Sequence, residues 1–147
     1  MPSLTTTTSH LRSVAVTAAR VLLGVIFIAH GWQKLNTNGM QATTTAFEKM
    51  GVPAPKVSAW FAALVELGGG VLLILGAATT IVSLLLVIDM AGAFWFVHRT
   101  QGIFVPGGWE LVAALGLGAL LFAATGPGPL SIDRLFRRRM PARAASV

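Results

Sequence analysis

Five ionisable side chains stand out in a chain with few charges: His30, Lys34, Glu66, His98 and Glu110. Histidine and lysine can donate hydrogen bonds to a carbonyl, and a carboxyl can exchange protons. The set therefore suits a quinone or another amphipathic molecule, and we take these five as ligand-binding candidates without assigning a catalytic residue. Zinc would want three or four of them as ligands, and haem would want both histidines. Neither metal reading has a supporting motif: there is no HExxH pairing on a helix and no haem signature. A glycine-rich phosphate loop, a serine nucleophile elbow and a dinucleotide fingerprint are also missing. With no cysteine in the chain, thiol chemistry, disulfides and iron–sulfur ligation all require a partner or a bound small molecule.

The elements that must carry these groups are membrane helices. Of 147 residues, 54% are hydrophobic and 11% charged, and the mean hydropathy is +0.75. That is too apolar for an ordinary soluble domain of this length. Four apolar stretches, residues 14–33, 59–76, 80–97 and 109–124, each approach the roughly 17 to 25 residues that cross a bilayer as a helix. Their continuous apolar character excludes the alternation of a membrane β-barrel. The expected fold is an all-α membrane protein, a bundle of four transmembrane helices over residues 14–136. A polar, disordered arm is expected over 1–13 and a basic cytoplasmic tail over 137–147. Cleavage after the first stretch is not expected, because three more spans follow.

Basic residues set the orientation. Seven arginines (12, 20, 134, 137, 138, 139 and 143) fall on the side of the termini, against Lys34, Lys49, Lys56 and Arg99 on the other. Seven against four predicts cytoplasmic N and C termini. The arginine-rich tail reads as an anchor to anionic headgroups of membrane lipids, and no nucleic-acid role is expected. In the first external loop, Met40, Thr44, Phe47 and Met50 have near-helical spacing, which predicts a short helix on the membrane surface that Gly51, Pro53 and Pro55 bring to an end. Trp32, Trp60, Trp95 and Trp109 suit an interfacial belt.

Charges within the spans should face other helices. Glu66 has Gly69 and Gly70 at i+3 and i+4, so it should point into the bundle, towards a proton donor or a cation. Asp89, with Gly92 and Ala93 similarly placed, should also turn inward, protonated or paired with a first-span group such as Arg20. The five candidates gather by depth in the outer half of the bundle, and a straight helix rotates His98 half a circle away from Asp89, which predicts that Asp89 lies outside this outer group. At the cytoplasmic end, Arg20 and Asp133 are expected to form a structural ion pair.

Taken in order, "FIAHGWQKL" (residues 27–35), "KMGVPAP" (49–55), "VELGGGVLLILG" (65–76), "FWFVH" (94–98) and "TGPGPLSIDRLF" (125–136) resemble the landmarks of the DoxX family of small four-helix membrane proteins. The resemblance covers residues 20–136 and matches at Gly31, Lys34, Glu66, His98 and Asp133. It implies a bacterial inner-membrane location and association with redox complexes, since the family takes its name from a membrane subunit of a thiosulfate:quinone oxidoreductase. An accessory subunit with a protein partner, or a homo-oligomer, fits the cysteine-free chain better than an independent enzyme. The alternative is a structural or assembly protein whose glycine faces, residues 68–70 with 116 and 118, pack against other helices.

Overall fold

The computed structural model describes residues 4–139; residues 1–3 of the arm and 140–147 of the tail lie outside the described residues. Six α-helices follow one another: α1 (Leu4–Trp32), α2 (Met40–Lys49), α3 (Pro55–Leu75), α4 (Thr79–Ala93), α5 (Glu110–Thr125) and α6 (Ile132–Arg139). Single π-helical turns extend α1 over Gln33–Thr37 and α4 over Phe94–His98. No strand occurs among the described residues.

Three helical stretches are long and apolar enough to cross a membrane: Ser9–Thr37, Pro55–Leu75 and Thr79–His98. The fourth, Glu110–Thr125, has 16 residues. At 1.5 Å per residue it covers about 24 Å, less than the ~30 Å hydrocarbon core. The arm expected to be irregular is instead helical from Leu4. Hydroxyls at its end and just beyond it adapt to that conformation: Ser13 Oγ donates to the Ser9 carbonyl and Thr17 Oγ1 to the Ser13 carbonyl, both at 2.9 Å. Outward faces are apolar, with Leu22, Leu64, Ile81, Ile88, Leu117 and Leu121 all exposed, as helices facing lipid require.

Helix α1 packs chiefly on α3, and α4 on α5, with α3 against α4 joining the pairs. Phe27, Leu73, Leu86, Met90, Leu115 and Phe122 fill the centre. The α1–α3 contact is made by backbone. A Cβ built on Gly24 would lie 2.6 Å from the Gly70 carbonyl oxygen, and one on Gly70 would meet the Gly24 carbonyl at the same distance. Farther along, a Cβ on Gly31 would lie 2.5 Å from the Leu67 nitrogen. Rising residue numbers on α1 meet falling numbers on α3, so the helices run antiparallel. Most of these glycines pack within the chain, Gly69 against Val82 and Leu86, Gly116 against Met90 and Gly118 against Leu23, while Gly68 has open space beside it.

At the opposite end from the five candidates, Arg20 and Asp133 converge on the α3–α4 turn, each with its own task. Arg20, 2% exposed, donates to the carbonyls of Pro127, Leu130 (2.7 Å) and Ile74 (3.4 Å). Asp133 accepts from the Ala78 N–H at 2.7 Å and the Thr79 N–H at 2.9 Å. The two charges of the expected pair act on each other, and the hydrogen bonds of each go to backbone groups of its own. The physical reason is local: α4 begins after Ala78, which has φ 48°, and has no side-chain cap of its own, so its first amides need an acceptor from elsewhere.

Burial pushes the Asp133 carboxyl up, but the Thr79 and Ala78 amides, a side-chain contact from Thr79 and the charge of Arg137 outweigh it and hold the group below its usual value. Asp133→Ala should cost about 1 kcal/mol, the usual worth of a helix cap. A carboxyl lowered in the folded state stabilises fully above its unfolded value of ~3.9, and that contribution is lost as pH falls through the lower folded value. Thermal melts in detergent should show the gap between wild type and Asp133→Ala intact above about pH 4 and closing below it. A gap that stays constant down to strongly acidic pH would count against the clasp.

Candidate functional site

Lys34 leaves α1 on its π turn and Glu66 faces it from α3. Their Nζ and Oε2 atoms are 2.5 Å apart. Glu66 is 3% exposed, and its nearest neighbour along the stripe is the Gly31–Leu67 crossing, where the absence of a side chain brings the two helices close enough for the pair to meet. The expectation that Glu66 points inward to a cation is met by Lys34. Within the π turn, the Asn38 N–H bonds to the Gln33 carbonyl at 2.8 Å, an i→i+5 bond of the kind concentrated at functional sites. Helix α2 is fastened to the same turn, since the Thr43 hydroxyl lies 3.1 Å from the Lys34 carbonyl and 3.0 Å from that of Gly39.

Asp89 corrects the sequence-based expectation. It is 9% exposed and lies beside the Glu66 carboxyl, within range of the Lys34 charge and away from Arg20. It also shares a cavity wall with His98. The straight-helix argument fails because α4 does not stay α-helical: the Arg99 N–H bonds to the Phe94 carbonyl at 2.8 Å. That π turn takes up an extra residue and turns His98 back towards the face of Asp89. Nothing in the local composition "FWFVH" announces the change of phase.

These groups open onto a cavity of about 440 Å³ between α2, α3 and α4. Lys34, Asp89 and His98 supply its ionisable lining, and Phe47, Met50, Phe61 and Phe96 are among its apolar walls. Glu66 stands behind Lys34, outside the lining itself. The short surface helix α2 thus forms a roof, with Val52 and Pro53 continuing it.

His30 and Glu110 go elsewhere. With His98 they line a second cavity of about 440 Å³, closed by the loop containing Phe104, Pro106 and Gly107. The five candidates therefore fall into two groups, with His98 between them. Its Nδ1 donates to the Gly107 carbonyl at 2.6 Å; a carbonyl only accepts, so a neutral ring keeps Nε2 as an acceptor. Among the described residues, no three histidine, aspartate or glutamate side chains are grouped to hold a metal ion. At the rim, Trp32 and Trp95 are exposed, Arg99 sits 4.5 Å above the Trp95 ring, and Trp109 meets Phe94 edge-on with ring centres 6.1 Å apart.

Chemically, the first cavity combines an apolar, aromatic interior with one ammonium and two neighbouring carboxyls. Lys34 and Glu66 neutralise each other, which leaves Asp89 without a cation of its own. Such groups are rare inside membrane bundles and mark binding sites or proton paths.

Comparison with known proteins adds a common pattern. The family model described as DoxX matches residues 15–99. Inner membrane protein YqjF of Escherichia coli is 35% identical over 134 residues, spanning 88% of this chain and 97% of its own. Inner membrane protein YphA of the same organism is 29% identical over 130 residues, 84% of this chain and 91% of its own. CatD of Bacillus subtilis, provisionally named an oxidoreductase, is 36% identical over 114 residues, 78% of this chain and 81% of its own. No solved structure matches.

Proposed function

The chain belongs to the DoxX family and is a protein of the bacterial inner membrane, and from that premise we propose that it is a four-span accessory subunit of a redox assembly that holds a quinone-sized molecule between α2, α3 and α4. The observation that carries the reading is the buried Lys34–Glu66 pair beside Asp89 at an apolar cavity of about 440 Å³. A cavity of this size lies within the ~300 to 1,000 Å³ of small-molecule sites, and few polar groups in an apolar wall are their usual construction. The name of CatD lends support from a relative. The chain supplies no thiol, so the electrons exchanged by such an assembly belong to the bound molecule and to a protein partner, and the chain has no independent activity. In this arrangement α5 is the fourth span, the arginine-rich ends face the cytoplasm, and the cavity opens towards the outer leaflet.

The test is extraction from native membranes in lipid discs, followed by quantification of quinones and identification of co-purifying proteins by mass spectrometry. Wild type should retain quinone and a redox partner. Gly92→Phe should lose the quinone while folding normally, because Gly92 lines the cavity and a Cβ there meets nothing within 4 Å. Wild-type protein free of quinone, or Gly92→Phe retaining it, would overturn the reading. A second reading, a purely structural assembly protein, draws on Gly68: it leaves open space on the surface of α3, where another chain's helix could approach. Partner capture that is unchanged in Gly92→Phe and abolished in Gly68→Leu, with no quinone in either, would favour it.

A further inference from the structure

The first turns of α1 carry a stripe that the bundle core does not use. Ser9, Arg12, Ser13 and Val16 recur at the three- and four-residue spacing that sets them on one helix face, and all four line a cavity of about 1010 Å³. Arg134 of α6 lines it too, together with part of the connection between α5 and α6. That connection is held in place by the fold. Arg20 bonds to the carbonyls of Pro127 and Leu130, the Ser131 hydroxyl donates to the Gly128 carbonyl at 2.9 Å, and a Cβ built on Gly128 would lie 2.7 Å from Val16 Cγ1. Helix α6 is seated as well: the Arg134 N–H donates to Ser131 Oγ at 3.3 Å, and Asp133 ties the helix to the α3–α4 turn.

The charge of this cavity has one sign. Arg12, Arg134 and His10 line it and no carboxyl does. Among the described residues the ion pair is that of Lys34 with Glu66, so neither guanidinium is neutralised by the chain. Two of the hydroxyl protons in the wall are already committed, Ser13 Oγ to the Ser9 carbonyl and Thr125 Oγ1 to the Leu121 carbonyl at 2.7 Å. The strongest donors offered are therefore the guanidiniums, whose planar forks match the oxygens of a phosphate. Apolar wall continues beside them, with Val14 62% and Leu130 61% exposed. About 33 Å of helix separates Arg12 from Lys34, so the two bracket a hydrocarbon core of ~30 Å. Arg12 thus stands at headgroup level, with Val14 on the acyl-chain side of it.

We propose that this groove is a binding site for one anionic phospholipid, whose phosphodiester is held between Arg12 and Arg134 while an acyl chain runs along Val14 and Leu130. Basic pockets beside membrane helices recognise such headgroups. The missing carboxyl sets the selectivity: nothing in the wall receives a choline cation, so a headgroup with net negative charge binds in preference to a zwitterionic one that carries the same phosphate. The site lies at the opposite end of the bundle from the cavity beneath α2 and does not depend on the redox reading.

The test is native mass spectrometry of the full chain in detergent, titrated with palmitoyl-oleoyl phosphatidylglycerol, with phosphatidylcholine of the same chains, and with glycerol 3-phosphate as the soluble headgroup. Wild type should bind phosphatidylglycerol at least about tenfold more tightly than phosphatidylcholine, and glycerol 3-phosphate at equal concentration should not displace it. Arg12→Gln and Arg134→Gln should each weaken phosphatidylglycerol about tenfold, the scale of one charge-assisted hydrogen bond. Arg137→Gln removes the same charge from an exposed residue of α6 that does not line the cavity, and should leave binding within about twofold. Equal binding of the two lipids to wild type would overturn the proposal, and that comparison needs no variant to fold. Equal losses in all three variants would replace the site by diffuse basic attraction, and displacement by glycerol 3-phosphate would make the occupant a soluble phosphate; either result overturns the lipid site.

Discussion

Replacing Lys34 with methionine should lower the folded protein recovered from membranes sharply, with a loss of roughly 3 to 5 kcal/mol. That is the typical cost of removing one partner from a buried pair, because the remaining charge has no compensation. Here the remaining group is Glu66, 3% exposed, with the carboxyl of Asp89 as its neighbour, so deleting the ammonium leaves two acidic groups together. The counterpart is the double variant Lys34→Met with Glu66→Met, which removes both charges and fills the space with apolar atoms. Such replacements are often neutral or stabilising, so the double variant should recover most of the loss. Thermal unfolding in detergent would measure all three proteins. A single variant as stable as wild type would mean that Glu66 is already satisfied or neutral without Lys34, and a double variant no better than the single would show that the site's geometry, rather than its charge, stabilises the bundle.

The second large effect is expected at Gly24. Adding one methyl there, Gly24→Ala, places a carbon 2.6 Å from the Gly70 carbonyl oxygen. Overpacking a core by flexible side chains usually costs about 1 to 3 kcal/mol; this contact is with backbone, so α1 and α3 must separate, and a loss at or above the upper end of about 3 kcal/mol is expected. Separation at Gly24 also lengthens the reach from Lys34 to Glu66, so weaker ligand retention should accompany the loss of stability. Gly68→Ala, two residues before Gly70 on α3 and with nothing within 4 Å of its added carbon, is the control and should be close to neutral. Equal tolerance of both substitutions, read by unfolding in detergent, would contradict the close crossing.

The sequence was most legible where burial in lipid leaves few options. A carboxyl beside two glycines has to turn towards another helix, and Glu66 does so, meeting the lysine that ends the first span. Of the four apolar runs expected to span, three are helices long enough to do so and the fourth, Glu110–Thr125, is shorter; the Gly51, Pro53 and Pro55 punctuation marked the end of α2. What escaped were changes in helical phase. Both π turns fall next to the cavity, and each repositions one of its residues, Lys34 or His98; reading α4 as a straight helix placed Asp89 outside a site to which it contributes. The division of the candidates between two cavities could not be read from depth alone, since His30, Lys34, His98 and Glu110 all lie within about two turns of the same helix ends, yet His30 and Glu110 line one cavity and Lys34 the other. Arg20 and Asp133 were placed at the same end because opposite charges suggested a pair; what the charges alone did not reveal is that the hydrogen bonds of both go to backbone groups.

Arg20 has a bearing on the order of biosynthesis. Two of the carbonyls it holds lie 107 and 110 residues further along the chain, beyond the end of α5. When α1 leaves the ribosome, neither acceptor exists, and a guanidinium on a first span must stay with lipid headgroups or water. Its final seat becomes available only when the segment around Pro127 and Leu130 has been made and the last apolar helix is in place. Insertion of the first helix and the locking of its arginine are therefore separated by the synthesis of more than 100 residues.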